Sequence, residues 1–458
     1  MPEPSSKFEF SPKTNLFERR SQQHILHDAP EPQLFRDIFS YEQVPKVAFN
    51  YRMVPISMPS EIWITDTTFR DGQQSITPYT ADQIVDIFDL MHRLSGPKGV
   101  IRQSEFFLYT KKDREAVERC LARGYEFPEV TSWIRASKKD FELVRGLGLK
   151  ETGVLVSCSD YHIFLKMKMT RRQAVDHYLS IVRDCIAQGI RPRCHFEDIT
   201  RADFYGFVVP FAYELMRLME ETGVPIKIRA CDTMGYGITY PGAALPRCVQ
   251  GLIHGLNQFA GVPSDLIEWH GHNDFYRAVS NASYAWLYGA SGANCSLFGI
   301  GERTGNTPLE AMVFEYAQFR GSFDGMDTTA ITALAEYYKG IGFEIPPMTP
   351  FVGENFNVTK AGIHADGILK DEEIYNIFDT RKILNRPPRI AISNTSGTAG
   401  IAHWLNDTYN LQEGEAFDKR HPIIEQMKQW VDEQYDDGRT TVISDKELKQ
   451  LFERLSTK

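Results

Sequence analysis

No stretch of this chain approaches the roughly 18 uninterrupted apolar residues of a membrane-spanning helix, so no transmembrane segment is expected. A long lysine/arginine block is also missing. The 51 basic residues are outnumbered by 60 acidic ones, for a net charge of −9, which argues against nucleic acid or an anionic membrane surface as a partner. The N-terminus lacks the basic-then-apolar pattern of a signal peptide. The seven cysteines, Cys120, Cys158, Cys185, Cys194, Cys231, Cys248 and Cys295, include no CxxC pair and are odd in number, so a reduced cytoplasmic protein is the expectation. What is left is an ordinary globular composition, 42% hydrophobic and 24% charged. A chain of 458 residues buries enough surface to need no staples.

Residues 1–60 are rich in proline, serine, glutamine and charge, and predict an irregular extension with short helices, laid across a neighbour. From 61 to 322 a rhythm sets in. Apolar, strand-like runs recur at Ile62–Thr65, Gly99–Phe106, Phe127–Trp133, Gly153–Cys158, Arg191–Phe196, Pro225–Cys231, Leu266–Trp269 and Ala293–Phe298. Stretches of helical period lie between most of them, among them Thr80–Leu94, Arg171–Gln188 and Phe204–Thr222. Eight strand–helix units predict a parallel sheet closed into a (β/α)8 barrel. Residues 323–458 predict a linker, including the Pro/Gly/Asn-rich Pro346–Asn357, and a small, mostly helical C-terminal domain.

The unusual polar residues fall just after the predicted strands: Arg70 and Asp71, Arg135, Glu197 and Asp198, Asp232 and Thr233, His270 and His272, Glu302 and Asn306. In a barrel these ends meet on the face where active sites sit. On an extended chain, residues i and i+2 share a side, so His270 and His272 offer two imidazoles to one ion, and Asp71 adds a hard oxygen. Two histidines and a carboxylate leave positions open on a divalent metal, as a catalytic centre requires. Gly299–Asn306 is either a tight turn or a loop closing over the metal with Asn306 as a weaker oxygen ligand. Its spacing is not that of a dinucleotide fingerprint.

Arg70 reads as a salt-bridge partner of Asp71 or as the cation that neutralises a developing enolate or alkoxide. Arg193 and Glu197, four apart on one strand, are either a buried ion pair or a cation and a carboxylate facing the cavity. Arg102 and Arg135 add cations near two further strand ends. Three arginines about one pocket suit a substrate with more than one carboxylate. His364, flanked by glycines at Gly362 and Gly367, is either a helix-cap histidine or a general acid/base delivered by the C-terminal domain. Lys166, Lys168, Arg171 and Arg172 form a basic stretch suited to a CoA anion.

Four motifs resemble those of the metal-dependent acyl-CoA Claisen-condensing enzymes, which include isopropylmalate, homocitrate, citramalate and Re-type citrate synthases. They are Asp66-Thr67-Thr68-x-Arg70-Asp71-Gly72-x-Gln74, His270-x-His272-Asn273-Asp274, Gly301-Glu302-Arg303-Thr304-Gly305-Asn306 and Ala361-Gly362-Ile363-His364-Ala365. The resemblance spans roughly residues 61–400. It implies a TIM barrel, and a homodimer with exchanged C-terminal subdomains. It implies metal ligation by Asp71, His270, His272 and Asn306, with Mn²⁺ favoured and Mg²⁺, Co²⁺ or Zn²⁺ as alternatives. It implies acetyl-CoA as co-substrate and Arg70, Glu197 and His364 as catalytic residues. Arg70, Arg135, Arg193 and Thr233 are the implied contacts to the 2-oxo acid, to which the reading of strand ends adds Arg102.

The family tyrosine that precedes a Ser-Gly pair has no counterpart in Asn385–Arg389, with Tyr375 as the alternative. The long extension and Trp133-Ile134-Arg135 are most similar to Re-type citrate synthases, which implies oxaloacetate as acceptor and citrate plus CoA as products. Homocitrate synthase, using 2-oxoglutarate, is the alternative, followed by isopropylmalate or citramalate synthase. A lyase of the same superfamily and a non-catalytic metal-binding barrel rank below these.

Overall fold

The computed structural model describes residues 24–135, 137–360, 362–411 and 414–456, together with the antiparallel strand pair Phe8–Ser11 and Leu16–Arg19. The chain divides into two compact units, Met1–Asp327 and Thr328–Lys458.

The first unit is built on a closed barrel of eight parallel strands in chain order, with the eighth pairing with the first. The strands are Trp63–Asp66, Ile101–Phe106, Glu129–Ile134, Glu151–Ser157, Arg191–Glu197, Lys227–Asp232, Ile267–Gly271 and Gly292–Cys295. Every expected strand run lies on one of them. The helices between them start where the sequence supplies caps. Thr80 accepts from the Gln83 amide and Gln83 answers to the Thr80 amide, which opens Ala81–Ser95. The same reciprocal box opens Lys111–Leu121 at Thr110 and Arg171–Ala187 at Thr170. Ile84, Ile87, Phe88, Met91 and Leu94 put one buried stripe of the first helix on the sheet. The expected helix Phe204–Thr222 is divided: a wide turn, Phe204–Val208, precedes Val209–Thr222. Pro210 fits a helix's first turn and not its interior.

Charge fills the barrel's interior as much as hydrocarbon does. Arg193 bonds Glu151 at 2.8 Å and Glu105 at 3.2 Å, and Arg229 bonds Glu105 at 2.7 Å and Glu268 at 2.8 Å. Lys227 reaches Glu151 at 3.1 Å. These groups are desolvated, so the pairing is obligatory.

Residues 24–60 form no helix among those described; they lie across their own barrel. They are tied to it by hydrogen bonds to their backbone. Arg171 Nη1 donates to His27 O at 2.9 Å, Tyr161 Oη to Leu34 O at 2.7 Å, and Arg247 Nη1 to Pro45 O at 3.2 Å. The Asn50 and Tyr51 amides both reach Gly242 O at 3.0 Å.

The second unit is helical around Ile392, Ile401, Leu405, Ile424, Met427, Val431 and Leu448, with one two-residue parallel strand pair. All seven cysteines are free and buried. Among the described residues no helix is long and apolar enough to cross a membrane.

Candidate metal centre and the barrel mouth

The chain leaves the first strand in a tight turn. Thr67 O accepts the amides of Arg70, Asp71 and Gly72, which turns the Asp71 carboxylate inward. His270 is next to last in the seventh strand and His272 follows the strand. Their Nε2 atoms lie 3.3 Å apart, and Asp71 Oδ2 lies 3.6 Å from one and 3.8 Å from the other. All three side chains are buried, and their ligand atoms fall within 4.8 Å of one another. Burial would raise the Asp71 carboxyl, but Arg70, the two imidazoles and the Asn306 amide outweigh it and hold it far below the carboxylate range. Burial pushes both histidines down to about 4, against the pull of Asp71, so they are neutral near pH 7.

The loop after the eighth strand closes this group. Asn306 Nδ2 donates to Asp71 Oδ2 at 2.8 Å, while Asn306 Oδ1 is buried without a partner. Gly305 makes the approach feasible. Its φ is +92°, and a Cβ there would stand 2.1 Å from Gly299 O. Arg303 staples the rim, donating to both oxygens of Asp274 at 2.8 and 3.1 Å and to Thr233 O at 2.5 Å.

This donor set fits a divalent cation. Two neutral imidazoles and an ionised carboxylate converge, and an orphaned amide oxygen sits beside them. Asn294, which sequence reading passed over, supports the set: its Oδ1 accepts from His270 Nδ1 at 2.8 Å and so leaves Nε2 for an ion. An amide inside a strand core carries no motif to announce that task.

The other expected site residues part company. Arg70 lies with the trio, bonding Asp71 at 2.9 Å with its guanidinium 4.3 Å over the Trp133 ring. Glu197 stands on the rim of the fifth strand, where Ser157 Oγ and His162 Nδ1, the latter at 2.9 Å, both donate to its Oε2. Burial would raise this carboxyl. His162, Ser157 and Lys166 win and hold it down to about 2. His162 was not expected, because nothing in its spacing ties it to Glu197, which lies 35 residues on. Thr233 Oγ1 accepts the Asp198 amide at 2.8 Å.

Arg193 does not face the mouth. It is wholly buried and committed to Glu105 and Glu151, four residues before Glu197 on the same strand. Arg102 is at the opposite end: it stacks on Trp63 at 4.3 Å and lines a pocket of about 380 Å³ at the strand starts with Glu61, Arg191 and Lys227. Being second in its strand fixed its height there. Arg135 is exposed, paired with Asp140 at 3.3 Å and over the Tyr109 ring at 5.0 Å. Arg171 is not available to a CoA anion, since Asp160, Asp203 and His27 O take its guanidinium. His364 belongs to the second unit, exposed on Gly362–Lys370, with its ring 4.7 Å from that of Tyr375.

Comparison with known proteins gives a consistent assignment. The family model described as HMGL-like matches residues 61–337. A protein of Clostridium kluyveri named citrate (Re)-synthase is 60% identical over 95% of this chain and 96% of its own length. One of the same name from Syntrophus aciditrophicus is 56% identical, covering 93% of this chain and 68% of its own. A 2-phosphinomethylmalate synthase of Streptomyces hygroscopicus is 36% identical over 94% of this chain and 98% of its own.

Proposed function

The chain belongs to the HMGL-like family, and from that premise we infer that it is an acyltransferase that condenses acetyl-CoA with oxaloacetate and releases citrate and CoA, as the citrate (Re)-synthases it resembles are named for doing. The observation that carries this reading is 60% and 56% identity, over 95% and 93% of this chain, to two proteins of that name. The buried Asp71–His270–His272 group supports it independently.

We assign Asp71, His270, His272 and Asn306 to a divalent ion, with Mn²⁺ favoured, which would supply Lewis-acid polarisation of the acceptor's keto group. The remaining chemistry belongs to the protein's own groups. A proton must leave the weakly acidic methyl of the thioester, and we assign the proton-moving roles to Glu197 and His364. Glu197 is ionised and can accept, and Ser157 and His162 both bond a single one of its oxygens, Oε2. We assign Arg70, which pairs with Asp71, to neutralise the alkoxide that forms when the enolate carbon bonds the keto carbon. Thr233 is assigned to an acceptor carboxylate. Water then cleaves the thioester, and the carboxylate product and CoA leave. We further propose a homodimer with exchanged C-terminal subdomains; a monomer in sedimentation at working concentration would remove that part of the reading.

The test is CoA-thiol release from acetyl-CoA, with Mn²⁺ or with EDTA, across oxaloacetate, 2-oxoglutarate, 2-oxoisovalerate and pyruvate. Metal-dependent release with oxaloacetate alone is expected. Release with 2-oxoglutarate instead would make the chain a homocitrate synthase. Silence with every acceptor, in a folded and metal-loaded sample, would overturn the condensing reading. Asp71→Ala and His270→Ala should each abolish metal-dependent turnover while the chain stays folded by circular dichroism.

A further inference from the structure

His162 and the extension are unused by the reading above, and they are connected. The fourth strand ends at Ser157, and Ser159–Asp160 lead into a wide turn, Tyr161–Lys166, that carries His162. The extension grips this turn at successive residues. Gln33 N donates to Asp160 Oδ2 at 2.7 Å, and Tyr161 Oη donates to Leu34 O at 2.7 Å. Arg171, wholly buried, completes the clamp. Its Nε and Nη2 take both oxygens of Asp160 at 2.9 and 2.7 Å, while its Nη1 holds Asp203 and His27 O. Tyr161 is also covered by Arg201, whose guanidinium lies 4.2 Å over the ring. The next residue is His162, 2.9 Å from Glu197.

We propose that residues 27–34 are a positioning element for the reaction: they pin Asp160 and Tyr161, and thereby hold His162 against Glu197 as the residue that orients the carboxylate. A strap fastened by single bonds to consecutive residues of a turn removes that turn's freedom to rotate. A side chain on the next residue then meets its partner without a conformational search. His162 is a positioning residue in this scheme, and the extension acts through it. The inference rests on the assignment of Glu197 to proton transfer.

The groups that bear on Glu197 are His162 and Lys166 from the turn, Ser157 at the end of the fourth strand and Cys158 just after it, Tyr178 from the helix Arg171–Ala187, and Cys231 from the sixth strand. Of these, His162 gives the largest lowering. Without it burial gains ground, and the carboxyl takes up a proton at a higher pH.

The experiment measures kcat, KM and the pH profile of kcat in the full-length chain, for the wild type, His162→Ala, His162→Asn, Tyr161→Phe and Tyr161→Phe with Gln33→Pro. His162→Ala should lower kcat by about tenfold or more. It should also bring in an acid limb, at least about one pH unit above any in the wild type. His162→Asn keeps an N–H donor and should recover most of the rate, which a proton-carrying His162 would not allow. The strap variants should move kcat and the limb in the same direction by less, with KM for acetyl-CoA within about twofold of wild type. A wild-type profile in His162→Ala, or no rescue by His162→Asn, would overturn the orienting role. A wild-type kcat and limb in both strap variants would overturn the role of residues 27–34. Tyr161→Phe loses one hydroxyl, so it keeps the question answerable if the double variant fails to fold. Failure of wild-type turnover with oxaloacetate is read separately, and reports on the reaction rather than on the strap.

Discussion

A histidine ligates a metal only through a nitrogen without a proton, and Asn294 decides which nitrogen of His270 that is. Its amide is fixed in turn by Thr65, whose hydroxyl accepts from Nδ2 at 3.1 Å. Asn294→Ala should therefore weaken Mn²⁺ binding by about 10–100-fold, read by titration calorimetry. An unchanged affinity would mean that the amide has no part in the centre. Glu310 makes a different single-residue prediction. It is buried at the start of the helix Leu309–Arg320, where its Oε2 accepts the Phe298 amide at 3.0 Å. Burial pushes it up to about 7, against those backbone bonds. A carboxyl raised in the folded state contributes stability that is fully present below its unfolded value of 4.5 and is lost as pH rises through about 7. Glu310→Gln keeps an acceptor for Phe298 and removes the titration. Its Tm should accordingly fall less than the wild type's between pH 5 and pH 8. Equal falls would show that Glu310 ionises without cost.

At the scale of elements, the loop Gly299–Asn306 carries the trio's closure on one glycine. With φ at +92° and Gly299 O in the way of any Cβ, Gly305→Ala must open the loop that brings Asn306 to Asp71. Mn²⁺ affinity should drop by about tenfold or more while the barrel's circular dichroism stays intact. Wild-type affinity would show that the loop closes without it. How this loop meets the trio was half legible. The strand ends could be read because apolar runs alternate with capped helices, and His270 and His272 could be read because strand side chains alternate with period two. Alternation gives the side a residue faces and not the height at which it sits. Arg193 and Glu197 share a side, yet one is sealed in the barrel and the other stands at its rim. Arg102 failed for the same reason at the opposite end. The irregularity of the extension could be read but its seat on its own barrel could not, because its ties run from Arg171, Tyr161 and Arg247 to backbone oxygens, and backbone bonding leaves no pattern in the residues that accept it.

For the whole molecule, the barrel stands on a charged interior. Glu105, Glu151 and Glu268 face Arg193, Arg229 and Lys227, and Arg191 joins them at 3.5 Å from Glu151. Such a network is weak evidence of stability when whole and strongly destabilising when broken, because an unpaired charge is left without water. Burial would raise Glu268, and Arg229 leads the cations that hold it at about 2. Arg229→Met should cost about 3–5 kcal/mol in urea unfolding followed on the barrel. Arg229→Met with Glu268→Gln should recover part of that loss, since it removes the charge that Arg229→Met strands; Glu105 keeps Arg193 at 3.2 Å in both. A loss below about 1 kcal/mol in the single variant would mean that water enters the barrel, and the interior would then count as solvated rather than sealed. The trio lies at the mouth of this same barrel, and Arg229 is among the charges that push His270 down. The single variant should therefore also raise the pH at which His270 takes up a proton, a shift that NMR of the metal-free protein can follow.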